Sequence, residues 1–172
     1  MSDVIVNRVA ESSLQTIDLE SMMPLEEPVL FDLKNYLFMG LIVKEKEFRA
    51  SLQETDLSGY AGKTVLVTCS ADAIIPMWAY MLVAALLQPV AEDVFLGSKE
   101  EWKKQKLMQA ITTLSLDAYA GQRVVVKGCG DDPIPEAAYM EITKRLRPVA
   151  KSIMYGEPCS TVPIYKQPKS TA

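Results

Sequence analysis

The chain has 172 residues, 49% of them hydrophobic and 23% charged, which is enough for a packed core without disulfide staples. Its formal net charge of −4 argues against a nucleic-acid partner, because phosphate neutralisation needs a basic surface and the sequence shows none. There is no histidine, which removes Ser-His-Asp and Cys-His catalysis and imidazole metal ligands.

Taken in chain order, the N-terminal MSDVIVNRVAESS lacks the charged region, apolar run and cleavage site of a signal peptide, so a cytoplasmic protein is expected. Short strands are predicted at about 15–19 and 28–33, then a less regular apolar segment, YLFMGLI. A charged helix follows over 44–54. The turn Tyr60-Ala61-Gly62 leads into VLVT at 65–68, a β-branched run that reads as a buried strand. A polar loop then opens a helix over 76–88. Pro76 stands in its first turn, where a missing N–H costs little, and Pro89 stops it. A strand over 91–96 and Gly97 close the segment. The helix PMWAYMLVAALLQ is apolar all round and needs cover on more than one side. Either residues 1–43 supply it, or a homodimer does, through Met77, Trp78, Met81 and Leu82. The apolar run from Ile74 to Leu87 is shorter than the roughly 20 residues that span a bilayer, so no membrane is expected.

From here the pattern starts again. A second charged helix over 99–114 precedes Tyr119-Ala120-Gly121, a strand at 124–127, a helix over 135–147 stopped by Pro148, a strand at 150–155 and Gly156. Residues 57–97 align with 116–156 without a gap, and 17 of the 41 positions are identical. Tyr60, Asp72, Pro76, Tyr80 and Pro89 recur as Tyr119, Asp131, Pro135, Tyr139 and Pro148, so duplication is inferred. The expected fold is α/β. Two pseudo-symmetric strand–helix–strand repeats form a largely parallel sheet with helices packed on it, plus an N-terminal strand-containing extension. A single domain is expected, with the extension at 1–43, repeat one at 44–98, repeat two at 99–162 and a mobile tail at 163–172. The order of the strands is open.

The chemistry-bearing residues are three cysteines, an odd number in a reducing compartment and therefore not a disulfide set. Cys69 and Cys129 fall just past the first strand of each copy, and Cys159 follows the last strand. Strand ends in a parallel sheet share one edge, and ligands of open α/β sheets bind outside it. Helix N-termini follow both loops and stabilise thiolates or anions. Asp72 and Asp131 could add oxygen ligands, although residues of this kind are more often turn or cap residues, and their recurrence in both copies favours that role. Tyr80 and Tyr139 read as core residues with a hydroxyl partner. A phosphate loop, a GxGxxG turn, a CxxC pair and a nucleophile elbow are all missing from the sequence.

The segments CSADAIIPMWAYMLVA, from Cys69, and AKSIMYGEPCSTVP, up to Pro163, resemble a bacterial family, domain of unknown function twenty-four-eighty; IVNRVA and LIVKEKEFR extend the likeness over nearly the whole chain. The resemblance implies a small uncharacterised cytoplasmic protein, with iron–sulfur assembly proteins as partners by gene neighbourhood. It brings no catalytic residues with it.

Three readings follow. In the first, Cys69, Cys129 and Cys159, with Asp72 or Asp131, bind zinc or an iron–sulfur cluster in an accessory protein for cluster assembly. In the second, Cys69 or Cys129 is the nucleophile of a persulfide or redox enzyme. In the third, the cysteines only pack, and the chain is a non-catalytic homodimeric interaction protein.

Overall fold

The structure is a computed structural model that describes residues 14–128, 130 and 133–168. Among the described residues the strands are β1 (Leu14–Asp18), β2 (Val29–Asp32), β3 (Thr64–Thr68), β4 (Asp93–Leu96), β5 (Arg123–Lys127), β6 (Ser152–Glu157) and β7 (Ser160–Lys166). The helices are α1 (Glu45–Gln53), α2 (Met77–Leu87), α3 (Lys99–Thr113) and α4 (Glu136–Leu146). The fold is thus α/β, with largely parallel strands, as the sequence predicts.

The chain divides into two compact units. The first collects the residues up to Pro24 and those from Lys103 onward, and the second is continuous, Leu25–Trp102. Each has its own sheet. In the second unit the order is β2-β3-β4, all parallel; in the first it is β1-β5-β6-β7, with only β7 antiparallel. The two N-terminal strands are therefore dealt one to each unit, β1 beside β5 and β2 beside β3. Residues 163–166, expected in the tail, instead complete β7, which folds back on β6.

The duplication is visible element by element. Ala79, Val83 and Leu87 bury one face of α2, and Ala138, Ile142 and Leu146 bury the aligned face of α4, each at four-residue spacing. The Tyr-Ala-Gly turns place Gly62 and Gly121 at φ +65° and +67°, a region that favours glycine. Their amides donate to Val90 and Val149 carbonyls at 2.8 Å, tying each turn to the chain that leaves the following helix. Val124, Val126 and Ile153 meet α4, with Ile17 and Leu19, in the core of the first unit.

The apolar helix α2 is covered in part by its own unit. Phe31, Leu33, Tyr36 and Leu37 from the N-terminal stretch share its core, and the Phe48 ring of α1 meets Trp78 edge-on at 5.9 Å. Met77 and Met81 stay 72% and 71% exposed. The segment YLFMGLI forms the end of a 3₁₀ turn (Leu33–Tyr36) and a tight hairpin, in which Phe38 N donates to Ile42 O at 2.8 Å.

Candidate functional site

In the first unit the parallel strands β1, β5 and β6 end side by side, and each end carries a charge. Lys127, the last residue of β5, sits between its neighbours: its Nζ is 3.1 Å from Asp18 Oδ2 and 3.7 Å from Glu157 Oε1. The hydrogen bond and charge of Asp18, followed by the charge of Glu157, push the Lys127 ammonium above its usual range. Asp18 Oδ1 also accepts from Glu20 N at 3.1 Å, and Leu19 N donates to Lys127 O at 2.9 Å. Glu20 in turn lies against Gly130, its carboxylate occupying the space a Cβ there would take. The Tyr139 hydroxyl donates to Gly128 O at 3.0 Å, and its ring meets Tyr155 edge-on at 5.6 Å. A mostly apolar hollow of about 320 Å³ lies between α4 and the β6–β7 hairpin, lined by Val126, Tyr139, Tyr155 and Ile164, with Glu136 at its wall.

The predicted site residues divide between the units. Cys159 is exposed in the turn that joins Glu157 to Ser160, on the loop leaving β6. Cys129 and Asp131 lie outside the described residues; their chain neighbours Gly128 and Gly130 belong to the loop leaving β5. Cys69 is in the second unit, directly after β3. It is half-buried, packs against that unit's core, and has its Sγ 3.5 Å from Ala71 O, the contact of a thiol donating to a carbonyl. Asp72 is exposed in the following bend. Among the described residues, no three Cys, Asp or Glu side chains gather with metal-ligand spacing, so a full ligand set requires residues outside them, such as Cys129, Asp131 or Asp132.

The corresponding edge of the second unit is built differently. Its counterpart of Asp18 is Asp32, which accepts from Ser70 Oγ at 2.5 Å, Ser70 N at 3.0 Å and Lys34 N at 3.0 Å. Burial opposes ionisation, but the Ser70 hydroxyl and these amides outweigh it and hold the Asp32 carboxyl below its usual range. Ser70 aligns with Cys129, and Thr68 with Lys127. One edge is thus closed by a serine–aspartate bond where the other carries a lysine and a cysteine. Asp18, Glu20, Lys127 and Glu157 escape the sequence reading. The available signal was the repeat of Ile17-Asp18-Leu19 as Phe31-Asp32-Leu33, in which both leucines are fully buried and both aspartates receive the amide two residues on.

A duplicated α/β protein with an acidic strand edge flanked by thiol-bearing loops is the class that this architecture defines. Within that class, the chain belongs to the family described as Protein of unknown function (DUF2480), which matches residues 3–167. No curated protein and no solved structure matches it. Among the described residues no helix is long and apolar enough to cross a membrane.

Proposed function

We propose that this protein is a cysteine-based metal-binding protein of the cytoplasm, of the kind that serves iron–sulfur cluster assembly, and that its metal edge is the carboxyl edge of the first unit. One observation carries the reading: Asp18 and Glu157 face the Lys127 ammonium, and Glu20 lies against Gly130, on the edge whose loops hold Cys129 and Cys159. Two carboxylates on one ammonium, with the Glu20 carboxylate at the adjoining loop, leave a negative rim among the described residues. Such a rim attracts a cation and opposes an uncompensated thiolate, so it favours metal ligation over a free thiol nucleophile. Cys129 and Cys159 would supply soft ligands and Asp131 an oxygen, a set that suits zinc or a labile cluster. Lys127, already engaged by Asp18 and Glu157, would hold those carboxylates in place rather than compete for the metal. Cys69, hydrogen-bonded and packed in the other unit, acts as a core thiol.

Metal analysis of anaerobically purified protein, with zinc titration, tests this. One equivalent of metal is expected, lost in Cys129→Ser and Cys159→Ser and kept in Cys69→Ser. Wild-type protein that binds no stoichiometric metal, or Cys129→Ser protein that binds as wild type does, would sink it.

A further inference from the structure

We infer that the opposite, amino-terminal edge of the first unit's sheet binds a small organic anion that carries a diphosphate and a flat ring, a ligand of the nucleoside diphosphate class. Arg123, Ser152 and Lys166 are register partners across β5, β6 and β7 and form one row. Neighbouring strands lie about 4.8 Å apart, so the two cations sit roughly 10 Å apart at Cα and can close on a diphosphate between them. Lys151 stands next to Ser152. Around this row opens a recess of about 700 Å³, within the size range of small-ligand sites. Among the described residues no carboxylate lines it, and neither Arg123, Lys151 nor Lys166 is paired with one. A solvated surface normally mixes signs, so three cations around one recess with no acidic partner among the described residues mark an anion site. The Arg147 guanidinium lies 3.7 Å over the ring of Tyr165, one of the lining residues. Met154 and Pro163 give the recess an apolar surface for a ring, and the Arg123 fork suits phosphate oxygens.

The duplication supplies an internal control. Arg123 and Lys151 align with Thr64 and Glu92 of the second unit. Thr64 is buried there and donates to Glu26 at 2.9 Å. The same fold position is therefore filled without a cation in one copy and with exposed cations in the other, so folding does not require them.

The test is calorimetric titration of the full chain with ADP, inorganic pyrophosphate and a polyglutamate peptide, in EDTA so that the metal edge is silent. ADP should bind with a Kd below about 1 mM, and pyrophosphate, which has no ring, about tenfold more weakly. The double variant Arg123→Thr, Lys151→Glu copies the residues of the second unit, should melt at the wild-type temperature, and should lose at least about tenfold in ADP affinity. Lys166→Gln should weaken ADP by a smaller factor. Cys129→Ser should bind ADP as wild type does, which separates this site from the metal edge. No heat with ADP or pyrophosphate, unchanged affinity in the double variant, or tighter binding of the peptide than of ADP would each overturn the proposal, the last by identifying a protein-docking surface.

Discussion

Asp32 and Lys127 mark how two copies of one edge have diverged, and their ionisation gives each a signature. Asp32 accepts three hydrogen bonds, two of them from Ser70, so Asp32→Ala leaves the Ser70 and Lys34 donors to water and should destabilise the protein by about 1–2 kcal/mol at pH 7. A carboxyl held below its usual range contributes stability that is fully present above the unfolded pKa near 3.9 and is lost as pH falls through the lower folded value. The gap between wild type and Asp32→Ala in urea unfolding should therefore be constant from neutral pH to about 5 and shrink below about 4. A gap that widened in acid would contradict the bonding described here. Lys127 behaves in the opposite sense. Its ammonium is held above the ordinary value of 10.5, so its contribution is complete below that pH and fades as pH rises through the folded value. Lys127→Met should lie below wild type in stability at neutral pH, by an amount that shrinks with added salt, and the two should converge on the alkaline side. Identical pH profiles for the two proteins would show that the Asp18–Lys127–Glu157 contacts contribute nothing in solution.

Helices and strands follow the sequence pattern closely because their signals are local. Pro76 and Pro135 start α2 and α4, while Pro89 and Pro148 lie just past their ends, and the period-four burial of Ala79, Val83 and Leu87 recurs in Ala138, Ile142 and Leu146. The antiparallel return of β7 was illegible because its exposed, proline-bearing sequence STVPIYK has no apolar alternation. What makes it possible lies at Gly156, whose φ is +115° and whose missing Cβ leaves room for the Ser160 carbonyl, which a methyl would approach to 2.7 Å. Gly156→Ala should thus cost about 1–3 kcal/mol and loosen the hairpin that carries Cys159. Gly59→Ala makes a fair control, since open space surrounds that position and its backbone is unstrained; it should stay within about 0.5 kcal/mol of wild type. Thermal melts of the two variants decide the matter, and equal melting temperatures would show that the hairpin tolerates a side chain at Gly156.

At the scale of the molecule, the unexpected feature is the order in which strands are assigned. The sequence announces a repeat with an offset of 59 residues, yet β1 and β2, only 15 residues apart at their starts, pair with strands of different copies. Partner choice between short strands is a long-range packing outcome, and Leu14–Asp18 and Val29–Asp32 hold too few residues to encode it. The site was legible to the same depth: loop positions of the cysteines follow from local pattern, whereas the pairing of Asp18 with Lys127 spans more than a hundred residues and depends on β1 reaching β5. The first unit is in consequence built from two separated stretches of chain, and its core requires both. Ile17 and Leu19 are 4% and 0% exposed among the side chains of α4 and β5. Losing two such side chains removes about 2–5 kcal/mol each, comparable to the whole stability of a small domain. A fragment of residues 103–172 should accordingly lack a cooperative urea transition and near-ultraviolet dichroism. The same fragment preceded by residues 1–24 on a flexible linker should recover both. If residues 103–172 alone unfold as cooperatively as the joined form, β1 is dispensable to that core, and the acidic edge that Asp18 completes would have to be understood without it.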